Sequence, residues 1–431
     1  MALGGGVFIT QNKKLGGAYI NFVSASRSNA TIADRGVCAI PMILDWGVEG
    51  KVFEVTSETL INDSVKIFGH SYIDEAMLPL REVFKNAVKC FIYRLNKGEK
   101  ASNTFATAKY SGARGNQISI AIENNVDGGF DVKTLLDDSV VEVQTVTTAN
   151  DLKANDFVTF NTSAELVQTV KTPLAGGTDG TVDGTNWQNA FSALDSYSFN
   201  TLGIVSTDDT IKQYAIEFTD MMRDEKGVKF QTVIYNKDAN NKGVINVIND
   251  LEGAEDGSKL VYWVTGAQAG CAVNKSCTNK VYDGELNINV SYTQSQLEKT
   301  IDNGQFVFHR VGDEVRVLTD INSKVTTSLE EGDDFKSNQT IRVLDQIAND
   351  IATLFNDKYN GKIPNDNAGR ISLWSDIVAH HKDLQTIRAI ENFESENVTV
   401  SAGNDKKSVV VNDNVTPTNA MEKLYMTVIV N

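Results

Sequence analysis

Residues 409–430 read VVVNDNVTPTNAMEKLYMTVIV. The last ten decide what kind of molecule this is. Leu424, Met426, Val428 and Val430 alternate with Lys423, Tyr425, Thr427 and Ile429, so 421–430 reads as a strand with two largely apolar faces. The ends of a chain are usually polar and loose unless tied down, and an apolar strand left unpaired invites aggregation. This strand therefore needs a partner, in its own sheet or in another molecule's.

Working back from it, 398–400 and 408–411 read as short strands. Before them come two amphipathic helices. In the first, Ile341, Leu344, Ile347, Ala348, Ile351, Leu354 and Phe355 recur at three and four, with Asp333 and Asp334 as candidate caps and Gly361 and Pro364 past its end. The second is expected over 370–390, with Ile371, Trp374, Ile377, Val378, Leu384 and Ile387 on one face. At the other end of the chain, Val7, Phe8, Ile9 and Thr10 follow Gly4, Gly5 and Gly6 as a short apolar strand on a glycine hinge. Both ends thus read as strand-bearing arms.

Between the arms, helices and strands take turns. Strands are expected at 37–44, 51–56 and 90–95, with helices near 57–68 and 79–87. The pattern resumes with helices at 187–197, 207–224, 261–273 and 294–302. Strands are expected at 199–205, 228–235 and 244–248, and a hairpin over 305–318 turns at Gly312 and Asp313. The interruption, 101–181, is rich in Thr, Val, Asn and Asp. Strands are expected there at 105–110, 118–123, 140–146, 157–160 and 166–169, and Gly176, Gly177 and Gly180 close it as a linker. The fold class is therefore an α/β (α+β) multidomain protein: a layered α/β core, an inserted β-rich domain and extended terminal β-strand arms. The expected divisions are 1–23 (arm), 24–98 with 183–325 (core), 99–182 (insert, joined by flexible segments and peripheral), 326–414 (C-terminal domain) and 415–431 (arm strand).

Composition narrows the function. The 431 residues are 41% apolar and 22% charged, as in an ordinary globular protein that can bury a substantial core. Forty basic against 56 acidic residues leave a net charge of −16, the wrong sign for a general nucleic-acid binder. Cys38, Cys90, Cys271 and Cys277 are too few and too loosely spaced for a zinc site and read as reduced thiols. No stretch reads as a signal peptide or reaches the ~18 apolar residues of a membrane span, so no membrane insertion is expected.

No motif proposes catalysis. The glycines of 175–184 lack the lysine and hydroxyl of a phosphate-cradling loop. Glu123 to Gly128 imitates a calcium loop, but its twelfth position is Thr134 rather than a bidentate glutamate, so it reads as a turn. His380 and His381 are adjacent, about 100° apart on a helix, and cannot chelate one metal as i, i+4 pairs do. By the same wheel His381 falls with Trp374 and Ile377, and His380 closer to solvent. No catalytic residue, cofactor or metal is expected.

Several stretches, in order, resemble one family: YSGARGNQISIAI (110–122), LAGGTDGTV (174–182), GQFVFHRVGDEVRVLTDINS (304–323), NQTIRVLDQIANDI (338–351), YNGKIP (359–364) with Gly369 and Arg370, and the quoted 409–430. The set is similar to the contractile tail sheath proteins of myovirus-type bacteriophages and phage-tail-like, R-type bacteriocins. The resemblance implies a structural subunit polymerising as stacked hexameric rings around an inner tail tube. Contraction would drive the tube through a bacterial envelope without nucleotide hydrolysis. The implied partners are neighbouring sheath subunits, the tube protein, and baseplate and terminator proteins. Assembly would take place in the host cytoplasm before incorporation in a virion or released particle. The arms, Val7, Phe8, Ile9 and Thr10 with Leu424, Tyr425, Met426, Thr427, Val428, Ile429 and Val430, would link subunits. Arg370, Lys382 and Arg388 are the candidate tube-facing groups, because Arg370 and Arg388 both fall at about 320° from Trp374 on a helical wheel. The competing reading is an α/β enzyme or ligand-binding protein whose terminal strands are ordinary ones. Electron microscopy separates the two: tubes or ring stacks for a sheath, monomers or small oligomers for an enzyme.

Overall fold

The computed structural model describes residues 32–126, 128–254 and 256–430. The N-terminal strand expected at Val7, Phe8, Ile9 and Thr10 lies outside them. The described chain forms two compact units. The larger comprises Ala33–Asn349, Leu384–Phe393 and 415–430; the smaller comprises Asp350–Asp383 and Glu394–Asn414.

The larger unit opens with β1 (Val37–Met42), β2 (Val52–Thr56), α1 (Ser57–Phe68), α2 (Leu78–Phe84) and β3 (Lys89–Arg94). The cap of α1 is Thr56. It exchanges bonds with Thr59, whose backbone N–H donates to the Thr56 hydroxyl at 3.2 Å. The residue that ends the strand thus also starts the helix.

Next come β4 (Ala106–Ala108), β5 (Ile118–Asn124), β6 (Phe130–Leu136), β7 (Ser139–Val146), β8 (Val158–Phe160) and β9 (Thr169–Pro173). They form a β4–β8 pair and an antiparallel sheet of order β7-β6-β5-β9. Two expectations fail here. The strand placed at 166–169 starts at Thr169 instead, and β6 was not foreseen. On β6 the inward positions are Val132, Thr134 and Leu136, so the apolar alternation is broken by a threonine that accepts from Asn155 Nδ2 at 3.0 Å. The calcium-like stretch is the β5–β6 turn.

The linkers to this segment are not loose. A Cβ on Gly98 would lie 1.9 Å from the Thr178 carbonyl, and one on Gly180 would lie 2.1 Å from that of Lys97. The entering and leaving chains cross in backbone contact, which only glycine permits. Glu99 and Thr178 bond each other, and Asn96 Nδ2 donates to the Asp179 carbonyl at 2.8 Å. Trp46, from the β1–β2 loop, is 1% exposed and packs among Ala101, Phe105 and the inward face of β5.

The chain then continues as α3 (Gly184–Leu194), β10 (Thr201–Gly203), α4 (Asp209–Asp220), β11 (Gln231–Tyr235), β12 (Val244–Val247), α5 (Leu260–Gly270), α6 (Gln294–Asp302), β13 (Gln305–Phe306), β14 (Phe308–Val311) and β15 (Glu314–Val317). One seven-stranded sheet runs β13-β12-β11-β10-β1-β3-β2, parallel throughout except β2 against β3. Alternate residues serve its two faces. Ala39 and Ile234 pack with Trp187, Phe191 and Phe218 of α3 and α4; Ile40 packs with Leu80 and Val83 of α2, and Val233 with Val261 and Val264 of α5. Strands buried on both faces explain the near-continuous apolar runs. In α5, Gly266 is required because a Cβ would meet the Val83 carbonyl of α2 at 2.2 Å. This is the layered α/β core expected from the sequence.

The last elements are α7 (Asn338–Leu354), α8 (Asn367–Thr386), β16 (Ile390–Glu391), β17 (Val398–Ala402), β18 (Val409–Asp413) and β19 (Thr416–Pro417). Asp333 and Asp334 do not cap α7; they belong to a separate short turn, and Ser337 Oγ accepts from Thr340 N at 3.4 Å. In the smaller unit, β17 and β18 form an antiparallel hairpin, and Trp374 Nε1 donates to the Val398 carbonyl at 2.9 Å. His380 is not near solvent. Both histidines are fully buried, His380 Nε2 3.0 Å from the Asp350 carboxylate and His381 Nε2 2.9 Å from that of Asp413.

Candidate assembly surface

The C-terminal segment is anchored at its root and bare beyond it. β19 pairs with β16, Pro417 opposite Ile390 and Thr416 opposite Glu391. The Gln339 side-chain amide then stands in for a strand neighbour. Its Nε2 donates to the Thr418 carbonyl at 2.9 Å, and its Oε1 accepts from Ala420 N at 3.0 Å. Asn419 bonds Ser337 and Thr340. The Glu422 carboxylate is the last anchor, accepting from Thr278 Oγ1 at 2.6 Å and Thr319 Oγ1 at 2.9 Å.

Past Glu422, residues 423–430 belong to no helix or strand. No hydrogen bond of theirs is found within the described chain. Leu424 is 86% exposed, Tyr425 89%, Ile429 81% and Val430 88%, with Met426, Thr427 and Val428 also exposed. This is a contiguous apolar stretch of the kind that marks an interaction site. The apolar residues were legible in the sequence. The polar clamp of Gln339, Asn419, Glu422 and Thr278 was not, because paired polar side chains far apart in sequence leave no periodic trace.

The root rests on a buried polar network. Arg342 of α7 is 1% exposed and Asp320 is 2% exposed, and they pair at 3.1 Å. Arg342 also donates to Gln268 Oε1 at 2.6 Å and the Lys275 carbonyl at 2.7 Å. Asp320 accepts from Gln268 Nε2, Asn338 Nδ2 and Cys277 N. Burial raises the Asp320 pKa, but Arg342 and these donors outweigh it and hold the carboxyl below its usual range. One turn further along α7, Asp345 takes both terminal nitrogens of Arg223, each at 2.7 Å.

The candidate tube-facing groups do not form one stripe. Arg370 sits in the first turn of α8, and its guanidinium donates to the carbonyl and side chain of Asn365. It lines a cavity with Lys406 and Lys407. Lys382 is exposed on α8. Arg388 lies past the helix end, in the left-handed region at φ 62°, so the helical wheel that placed it beside Arg370 does not apply.

Among the described residues, no group of three or more His, Cys, Asp or Glu is placed to hold a metal ion. Among the described residues no helix is long and apolar enough to cross a membrane.

Four family models match consecutive stretches. They are the tail sheath protein Gp18 domain III N-terminal region (35–95), the phage tail sheath protein beta-sandwich domain (96–179), the phage tail sheath protein central domain (180–323) and the phage tail sheath C-terminal domain (330–431). The phage-like element PBSX protein XkdK of Bacillus subtilis is 32% identical, with 100% of each chain covered. The sheath tail protein of Desulfitobacterium hafniense is 34% identical over 95% of this chain and 99% of that one, with a TM-score of 0.84. The contracted helical sheath of the anti-feeding prophage shares the fold at 14% identity, over 96% of this chain and 99% of that one, with a TM-score of 0.60.

Proposed function

Because the chain belongs to the phage tail sheath protein family, and is therefore a structural subunit rather than an enzyme, we propose that it polymerises as stacked hexameric rings around an inner tail tube. The observation that carries this reading is the bare apolar segment from Leu424 to Val430. The β17–β18 hairpin of a neighbouring copy is a suitable acceptor. It is a two-stranded sheet with no third strand among the described residues, and such a sheet is marginal until a third strand is added. Val7, Phe8, Ile9 and Thr10 would supply the second exchanged strand. Contraction then repacks rigid subunits while the exchanged strands keep neighbours tethered, and new subunit contacts supply the energy that drives the tube through an envelope. Baseplate and terminator proteins would cap the two ends. Assembly would take place in the host cytoplasm, before release in a virion or tail particle. Negative-stain microscopy of purified protein tests the reading: tubes or ring stacks are expected, and monomers at every concentration would overturn it.

Two further expectations follow. Arg370, Lys382 and Arg388 are proposed to face an acidic tube wall. Replacing Arg370 and Arg388 together by glutamine is expected to weaken assembly on tubes several-fold at low salt, while sparing tube-free polymers. Equal loss in both assays would assign the arginines to folding or sheath contacts. The segment 99–182 is proposed to be peripheral, so joining Gly98 to Asp183 is expected to preserve polymerisation. Because Trp46 loses its cover, the deletion is expected to lower stability by about 2–4 kcal/mol, and a Trp46→Ser change in the same chain to restore solubility. Light scattering and thermal unfolding of the two deletions read this out.

A further inference from the structure

We propose that Cys271 and Cys277 form an oxidisable dithiol that staples the loop anchoring the C-terminal segment. Cys271 directly follows α5. The chain then turns, Lys275 N donating to the Ala272 carbonyl at 3.0 Å, and returns so that Cys277 Sγ lies 3.7 Å from the Ala267 carbonyl, one turn back on the same helix. Cys277 lies in one buried apolar cluster and Cys271 packs against the same cluster, so the turn brings both thiols to one side of the helix end. Cys271 is half-buried beside exposed Ala272, whereas Cys277 is 1% exposed. A small oxidant therefore meets Cys271 first and leaves Cys277 to resolve.

The surroundings favour a thiolate at the outer position. The neighbouring Cys277 thiol lowers Cys271, burial and Asp320 oppose it, and Arg342 and Arg35 assist, which brings it down to about 7. Arg35 Nε also holds the Cys271 carbonyl at 2.8 Å. The other pair, Cys38 and Cys90, faces across β1 and β3 with both residues fully buried, and burial pushes the Cys90 thiol up. It serves as an internal control, a cross-strand neighbour pair without access to solvent.

With a hydroperoxide as oxidant the steps balance. The Cys271 thiolate attacks one peroxide oxygen, the O–O bond breaks, and hydroxide leaves to take up a proton as water. Cys277 Sγ then attacks the sulfur of the Cys271 sulfenic acid, forming S–S and breaking S–O. The Cys277 proton leaves with that oxygen as a second water. The bond closes a loop that carries Asn274, which donates to the Ile387 carbonyl, and the Lys275 carbonyl bound by Arg342; it also fixes Cys277, the residue before Thr278, which holds Glu422. Closure thus stiffens the root from which 423–430 project. The chemistry is independent of the sheath reading; only its consequence for assembly rests on it.

The test is hydrogen peroxide treatment of the folded full-length chain, followed by differential alkylation and peptide mass mapping. A Cys271–Cys277 disulfide is expected, forming at least about tenfold faster than any modification of Cys38 or Cys90. Amide exchange across 271–278 should slow in the oxidised protein. In Cys277→Ser, Cys271 should stop at a sulfenic acid that a cyclic 1,3-diketone traps. The proposal is overturned if Cys271 over-oxidises while Cys277 stays alkylatable, if the buried pair reacts first, or if no disulfide forms at peroxide doses that oxidise free cysteine. Should the serine variant not fold, the map of the unmodified protein decides alone.

Discussion

A chain ending at Lys423 is expected to stay a folded monomer and to lose polymerisation altogether. It keeps every anchor of the C-terminal root, including the bond from Thr278 to Glu422, and loses only residues that are exposed and make no hydrogen bond within the described chain. Docking that segment on a second copy would bury six large apolar side chains, Leu424, Tyr425, Met426, Val428, Ile429 and Val430, at about 1.5–3 kcal/mol each. Ordering the same stretch costs about 1–2 kcal/mol per residue. The two sums are of the same order, so one exchanged strand is marginal and a closed ring, where each docking makes the next intramolecular, is strongly favoured. Truncation is therefore expected to act as a threshold. Analytical ultracentrifugation should show monomer at concentrations where the full chain sediments as large assemblies, with unchanged far-UV circular dichroism. An unfolded or insoluble truncation product would show that the segment completes its own subunit. A single Val428→Asp change should raise the critical concentration about tenfold or more without unfolding the monomer, since it buries an unpaired charge only in the assembly.

What could be read from the sequence follows from how local the physics is. α6 was placed at its true ends because Thr293 and Gln296 form a reciprocal cap three residues apart. The β14–β15 hairpin was placed by Gly312, whose φ of 60° the turn needs. The end of α8 was missed because the left-handed residue that stops it is Arg388, not glycine. Ala389 N turns back to the Leu384 carbonyl without any sequence signal. His380 was placed near solvent because a helical wheel cannot see Asp350, which lies thirty residues earlier and supplies the partner that lets a histidine be buried. Gly177 and Gly180 fall in a stretch that reads as a flexible linker, although each is required where the backbone approaches another segment, the Gly112 carbonyl and the Lys97 carbonyl respectively. For His380 and the glycine crossing the deciding partner is distant in sequence, whereas the end of α8 is set locally by a residue type that carries no stop signal. The apolar alternation of 421–430, by contrast, is local and can be read directly, and the side chains of 424–430 are exposed within the described chain.

The buried pair of Arg342 and Asp320 is where single substitutions are expected to cost most. Asp320→Asn keeps the shape but leaves the Arg342 guanidinium, 1% exposed, without a counter-charge, and Arg342→Ala leaves the carboxylate likewise. Each is expected to lose about 3–5 kcal/mol, whereas Arg342→Met with Asp320→Asn should recover a large part, because the penalty lies in the unpaired charge rather than in the missing bond. Urea unfolding of the three variants measures this; a double variant as unstable as the sum of the singles would refute it. The pH dependence carries a signature with a definite sign. The folded Asp320 carboxyl titrates below its unfolded value of about 3.9, so its contribution is complete above that pH and is lost as pH falls through the folded pKa. The wild type should therefore lose stability on acidification below about pH 4 more steeply than Asp320→Asn does. Because the Asp320 carboxylate also accepts from Cys277 N and its own N–H donates to the Thr278 hydroxyl, the loss should spread to the Glu422 anchor. Polymerisation of either single variant is then expected to fail at temperatures where its seven-stranded sheet is still folded, which separates the anchor's role from that of the core.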